Sequence, residues 1–258
     1  MTTVASWNVN SLKVRLPQLI EWLAAHPVDV IGLQETKLTD ENFPQAELEA
    51  AGYHVLRSGQ KTYNGVALLS REPLIDALLD LDGLDDPQRR VAIATSGGVR
   101  YVNLYVPNGQ AVGSEKYEYK LRWLGALHRL LARELANHER VVVMGDFNIA
   151  PEDRDVYDPK AWEGQVLCSE PERDALKRLL QLGLADTFRL FEQPQASFSW
   201  WDYRQAGFRR NLGLRIDLIL ASAALRAHCV SSTIDREPRR AERPSDHAPA
   251  VARFTLPL

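Results

Sequence analysis

The chain has 258 residues, 45% hydrophobic and 25% charged, with a formal net charge of −3. That composition supports a sizeable core and excludes a disordered or low-complexity chain, and the acidic total argues against polyanion binding through bulk charge. Cys168 and Cys229 match no metal spacing and are weak evidence for a disulfide. With no secretory signal, and no apolar run near the roughly eighteen residues of a membrane span, a cytoplasmic protein with reduced thiols is expected.

Thr3 to Val9 alternates and is β-prone, and reads as a strand that delivers Asn8 and Asn10 at its end. Leu16, Leu19, Ile20 and Leu23 follow helical spacing, in a helix that tolerates Pro17 only in its first turn and stops at Pro27. Val28 to Leu33 is the next strand, followed directly by Gln34-Glu35-Thr36-Lys37. Tyr53 to Arg57 and Gly65 to Ser70 pair around an Asn64-Gly65 turn. Arg89 to Thr95 and Val99 to Tyr105 hinge on Gly97-Gly98 and end in Tyr105-Val106-Pro107-Asn108.

Leu121, Leu124, Leu127, Leu131 and Leu135 mark one face of a long amphipathic helix. Val141-Val142-Val143-Met144 has no polar residue and reads as a strand buried on both faces. Gly145 ends that run, and Asp146 and Asn148 then project together from an extended segment. Ser169-Glu170-Pro171-Glu172 resembles a capping box opening a helix that Gly183 closes. Ser197 to Tyr203, Leu214 to Ala221 and Ala250 to Thr255 complete the strands, the last preceded by Ser245-Asp246-His247.

No linker or composition break divides the chain, so residues 1–258 are expected to form one domain. Hairpins interrupt the alternation of strands and helices, which favours an α/β arrangement of two mixed sheets packed together, with helices outside, over one parallel sheet.

The polar residues at strand ends are Asn8, Asn10, Glu35, Tyr105, Asn108, Asp146, Asn148, Asp217, Asp246 and His247. Gathering several carboxylates is costly unless something positive compensates. Oxygen donors without cysteine favour a hard cation, Mg²⁺ or Mn²⁺, over zinc, and such a site suits phosphoryl chemistry. A histidine paired with a carboxylate stays protonated, able to stabilise negative charge on a phosphorus centre. Arg204, Arg209, Arg210, Arg215, Arg226, Arg236, Arg239, Arg240 and Arg243 cluster in the last third, and a local basic surface of this kind binds polyanions despite the net charge.

Trp7-Asn8-Val9-Asn10-Ser11-Leu12, Leu33-Gln34-Glu35-Thr36-Lys37, Tyr105-Val106-Pro107-Asn108, Gly145-Asp146-Phe147-Asn148, Leu214-Arg215-Ile216-Asp217 and Ser245-Asp246-His247 resemble, in order, exonuclease III and its abasic-site endonuclease relatives. The resemblance implies a four-layered α/β sandwich like deoxyribonuclease I and metal-dependent attack of water on a DNA phosphodiester. It implies Glu35 as principal ligand for Mg²⁺ or Mn²⁺, supported by Asn8 and Asp246 and more weakly by Asn10. Asp146 would orient or deprotonate the water, with Asn108 helping to place it and Asn148 holding the phosphate. His247, oriented by Asp217, would contact the phosphate; Tyr105 would contact it or assist the leaving group.

Trp200, Leu214 and Ile216 match the family's sugar pocket. Adjacent indoles on an extended segment cannot both face one core, so Trp200 or Trp201 is expected to line a surface or pocket. Lys61, Arg89, Arg90, Arg209 and Arg210 are expected along the DNA backbone. One departure stands out: Gln165-Val166-Leu167-Cys168 carries Leu167 where abasic endonucleases usually have small residues. A branched side chain there would obstruct a flipped-out abasic nucleotide. We therefore expect 3′-end processing (exonuclease, or removal of a 3′-phosphate) with weak internal incision, on double-stranded DNA with damaged or recessed 3′ ends, by a monomer with no membrane association. The alternatives are a non-catalytic nucleic-acid-binding regulator on the same scaffold and a phosphatase of small phosphate esters.

Overall fold

The computed structural model describes residues 1–255. Its strands, in chain order, are β1 (Thr2–Asn8), β2 (Val30–Gln34), β3 (His54–Ser58), β4 (Val66–Ser70), β5 (Ile75–Leu78), β6 (Val91–Ser96), β7 (Val99–Tyr105), β8 (Val141–Asp146), β9 (Leu184–Asp186), β10 (Trp200–Trp201), β11 (Gly213–Leu214), β12 (Asp217–Ser222), β13 (Cys229–Ile234) and β14 (Ala250–Phe254). One sheet has the order β13-β14-β1-β2-β4-β3, the other β5-β6-β7-β8-β12-β9, and β10-β11 is a separate ribbon. Both large sheets are mixed, because β1–β2 and β7–β8 run parallel while their other neighbours are antiparallel.

Alternation along the strands builds three apolar layers. Val4, Val30, Val66 and Leu68 of the first sheet meet Ala92, Tyr101, Val142, Met144 and Ile219 of the second. The next residues along, Ala5, Trp7, Ile31 and Leu33, turn outward under helices α1 (Leu12–Ala25) and α2 (Gln45–Ala50), through Leu19, Trp22, Leu23 and Leu48. On the other side Ile93, Val102, Val141 and Val143 pack under α3 (Glu115–Asn137) and, past the single turn α4 (Pro159–Trp162), under α5 (Glu170–Gln181). The result is the four-layered α/β sandwich of the sequence reading. Among the described residues no helix is long and apolar enough to cross a membrane.

The capping box of α5 is present, with Ser169 and Glu172 each accepting from the other's end of the turn. Other local expectations change. Pro17 lies in the second turn of α1; the N–H it lacks would have met the Lys13 carbonyl, on the exposed side of the helix. The stretch 214–221 is not one strand: it breaks at Arg215 and Ile216, where the chain leaves the β10–β11 ribbon for β12. Of 197–203, only Trp200–Trp201 is strand. The strands β5, β9 and β13 carried no clear signal, being short or polar and lying at sheet edges.

Asn8 lies opposite Gln34 at the end of the parallel pair in one sheet, and Tyr105 lies opposite Asp146 in the other. β12 runs back along β8, so its first residue, Asp217, also lies opposite Asp146. The side chain of Asn8 bonds Asp146 across the sandwich at 3.0 Å, so both pairs finish at the same end. Within the second sheet, Gly145 meets a requirement of the backbone just before Asp146: a Cβ there would stand 1.9 Å from the Leu104 carbonyl oxygen, at a φ of 155° that side chains rarely adopt. Gly145→Ala should cost about 3 kcal/mol or more, read as a shift of the midpoint in chemical denaturation.

Candidate active site

The strand ends open into a cleft of roughly 520 Å³ lined by Glu35, Tyr105, Asn108, Asp146, Asn148, Asp246 and His247 on its polar side. Tyr105 and Asp146 end strands, and the others lie in the connecting segments. Glu35 follows β2 with a φ of 51°, and Asn148 follows β8 with a φ of 48°. Asn148 is therefore not on the same extended face as Asp146, as alternation had suggested. The chain turns, and the backbone N–H of Asn148 donates to Asp146 Oδ1 at 2.9 Å. Its carboxamide nitrogen is anchored on the Val106 carbonyl at 2.9 Å, and its oxygen accepts from Asn108 at 3.2 Å.

His247 is buried and held from several sides. Its Nδ1 lies 2.9 Å from Asp217 Oδ2, and its Nε2 lies 3.7 Å from Asp146 Oδ2. Trp7 donates to its carbonyl, and Ser245 ties the same loop to the Asn8 carbonyl at 2.6 Å. Burial works against an imidazolium, yet Asp217, then Asp146, outweigh it and push the His247 pKa up to about 10. Burial also pushes Asp146 up to about 7, with His247 opposing and Asp217 reinforcing the rise. The Tyr105 hydroxyl is raised well above its ordinary value, by burial first and then by the charges of Glu35 and Asp146. It is therefore a donor at neutral pH, not a base.

Glu35 behaves oppositely. Burial would raise it, but Lys37 and the Asn8 amide together hold it below its ordinary value. Lys37 Nζ lies 2.9 Å from Glu35 Oε2 and 2.5 Å from Asn10 Oδ1. Lys37 is a site residue that the motif alone does not reveal, although a partly buried glutamate two positions away calls for a nearby cation. Glu35, Asp146 and His247 each offer a ligand atom within 4.8 Å of the others. The imidazole is protonated, so two carboxylates and no thiolate remain, a donor set that fits a hard divalent cation.

Other expected ligands are turned away. Asn8 presents its nitrogen, not its oxygen, to Glu35 and Asp146, because the oxygen accepts from the Asn10 N–H. It is a donor that screens two carboxylates, a correction to its reading as an oxygen ligand. Asn10 bridges Asp246 and Lys37, and the second oxygen of Asp246 accepts from Trp200 Nε1 at 3.0 Å.

The opposite wall is apolar, with Tyr157, Trp162, Val166, Leu167, Trp200 and Ile216. Trp200 lines the cleft while Trp201 is fully buried against Phe198 and Ala248, as their adjacency required. Leu214 is buried behind Trp200 rather than at the surface of the cleft. Tyr157 and Trp162 gave no periodic signal in the sequence. Leu167 is 4% exposed with a φ of 75°, a left-handed conformation unusual for a branched side chain.

The expected basic surface divides in two. Lys61, Arg209 and Arg210 are exposed, and Arg89 is partly exposed, paired with Asp80. Arg90 is a correction: it is buried over the Tyr105 ring and donates to Gln88 and the Tyr105 carbonyl, so it supports the site from behind. Arg215 is likewise internal, 1% exposed and paired with Asp155 and Asp186, and Arg239 is buried among Trp201, Tyr203 and Phe208.

Residues 5–247 match the model of the endonuclease/exonuclease/phosphatase family. The chain is 39% identical over 263 residues to an exodeoxyribonuclease III from Haemophilus influenzae, covering 96% of this chain and 98% of that one. Among solved structures, a 3′ phosphatase from Neisseria, an aspartate-to-asparagine variant bound to a product DNA hairpin, superposes with a TM-score of 0.98 at 48% identity, covering 99% and 100% of the two chains. An AP endonuclease from Archaeoglobus fulgidus superposes with a TM-score of 0.95 at 39% identity and the same coverage.

Asp217→Asn removes the largest attraction holding the imidazolium. The His247 pKa should fall from about 10 by roughly 1–3 pH units, as followed by NMR titration of the ring nitrogens; an unmoved titration would show that Asp217 does not hold the charge.

Proposed function

This chain belongs to the endonuclease/exonuclease/phosphatase family, and we propose that it is a DNA repair exonuclease that also removes 3′-phosphates from duplex DNA, with weak incision at internal abasic sites. We propose further that it works as a monomeric single domain. The observation that carries the reading is one cleft in which Asp146, Asn148, His247, Tyr105 and Glu35 converge opposite an apolar wall narrowed by Leu167.

The reaction forms one bond from water oxygen to phosphorus and breaks the bond from phosphorus to the 3′ oxygen. Asp146, poised near neutrality, takes the proton of the attacking water. The imidazolium of His247 and the remaining N–H of the Asn108 amide meet the phosphate oxygens, where negative charge develops, while Asn148 orients that amide by accepting its other N–H. Tyr105, protonated, donates toward the departing 3′ oxygen. Held chiefly by Glu35, a divalent ion, Mg²⁺ or Mn²⁺, would neutralise charge on the phosphate. Asp217 keeps His247 charged and oriented, and Asn8 and Lys37 hold Glu35.

Leu167 supports the preference for ends. It fills the wall beside Trp200 and Ile216, where a sugar turned out of a continuous strand would have to enter. A terminal phosphate does not require that entry. Exposed Lys61, Arg209 and Arg210 suit a phosphodiester backbone better than a small phosphate ester.

Duplex DNA carrying a 3′-phosphate or a recessed 3′ end should release phosphate or nucleotides in Mg²⁺ and not in EDTA. Binding without turnover would instead identify a regulator. Glu35→Gln should lower turnover by about 10³-fold while DNA affinity changes little, because backbone charge supplies most of the binding. Leu167→Gly should raise incision of an internal abasic duplex by about tenfold or more, since glycine also suits the local backbone; an unchanged rate would remove Leu167 from the account.

A further inference from the structure

A second charged cluster lies behind the cleft and takes no part in the chemistry above. Lys120, on the first turns of α3, is fully buried, as is Glu172 on α5. All three ammonium donors are used: Glu172 Oε1 at 2.5 Å, the Asn148 carbonyl at 2.6 Å and the Asn108 carbonyl at 3.1 Å. Glu172 Oε1 also accepts the backbone N–H of Leu167 at 3.0 Å. Its other oxygen accepts from Ser169, whose hydroxyl meets that of Tyr117 on α3. Three separate segments, carrying Asn108, Asn148 and Leu167, are thus tied to one ion pair.

Lys120 and Glu172 do not line the cleft. A buried ion pair is a poor means of stabilising a fold, because apolar side chains of similar volume do as well or better. Its particular merit is directional: an ammonium with three fixed acceptors holds two carbonyls at set distances from each other, and its partner carboxylate sets a third segment against them. The two carbonyls are the backbone carbonyls of Asn108 and Asn148, whose side-chain amides bond each other at the cleft, and the third segment forms its apolar wall.

We propose that Lys120 and Glu172 are a positioning pair that locks the Asn108 and Asn148 amides against the Leu167 wall, and so sets both turnover and the choice between terminal and internal phosphates. The proposal rests on the phosphodiesterase reading. It assigns the pair no contact with substrate; the effect passes through the backbone of the three segments.

The test compares Ser169→Ala, Lys120→Met and the double variant Lys120→Met/Glu172→Gln with the parent. Each is assayed in Mg²⁺ on a 3′-phosphate duplex and an internal abasic duplex, with rates expressed per folded molecule from a melt of the same sample. The double variant leaves no buried charge unpaired; its kcat should fall about 10–100-fold, its KM by less than about threefold, and its ratio of internal to terminal cleavage should shift by about threefold or more. Ser169→Ala keeps both charges and loosens Glu172 alone, so it should show a smaller change in the same direction, and it decides the matter if the others do not fold. Parental kcat and parental ratio per folded molecule would overturn the positioning pair while leaving the nuclease intact. A parent inert on both duplexes would overturn the functional reading, and the pair with it.

Discussion

Glu35, Asp146, Asp217 and Asp246 are drawn to one end of two packed sheets, where little water remains to separate their charges. Carboxylates in that setting repel one another unless cations stand between them. Here the cations belong to the chain. His247 lies between Asp146 and Asp217, and Lys37 lies against Glu35. The compensation is uneven, and its unevenness separates the roles. Asp146 keeps a net push toward protonation, as a group that accepts a proton from water requires; Glu35 is held anionic, as a group that binds a cation requires. Tyr105, facing the same negative charge, retains its proton. One electrostatic arrangement therefore leaves a carboxylate inclined toward protonation, a phenol that keeps its proton and an anion within one cleft, the set that the proposed reaction uses.

That arrangement depends on placement finer than loops alone supply. The Asn8, Tyr105, Asp146 and Asp217 side chains all sit on terminal strand residues, fixed by register in the two sheets. The Asn8 amide donates to Glu35 and to Asp146, so the one side chain joins both sheets. Gly145 lets β8 lie against the Leu104 backbone of β7 immediately before Asp146. Stability and catalytic geometry thus share the same residues, and slack in the sheets would appear first in the site.

The selectivity proposed above rests on a different part of the cleft. The apolar wall is built from irregular segments around Leu167, Trp162 and the short β10–β11 ribbon, and its relatives include both a 3′ phosphatase and an AP endonuclease with nearly identical backbones. A fold so closely shared cannot by itself account for different substrates. The side chains that narrow or widen the wall can, and the buried ties from Lys120 and Glu172 connect that wall to the segments carrying Asn108 and Asn148.

Much of this was legible in the chain. The apolar run ending in Gly145-Asp146, the strand-end glutamate and the Ser-Asp-His loop each announce themselves locally, and two adjacent tryptophans could only face opposite ways. Local signals failed where the neighbours came from far away. Arg215 and Arg239 look like surface charge in sequence, yet acids and aromatic rings from distant segments bury them. Asn8 looks like an oxygen ligand, but the direction of its amide is set by the Asn10 N–H and by two carboxylates from other strands. Residue type and spacing determine which groups can ionise, donate or pack, because those are properties of a side chain and its immediate backbone. Which atom of each group faces which, and which charges are left to face the cleft, follows from contacts between segments remote in sequence, and only the folded sheets decide it.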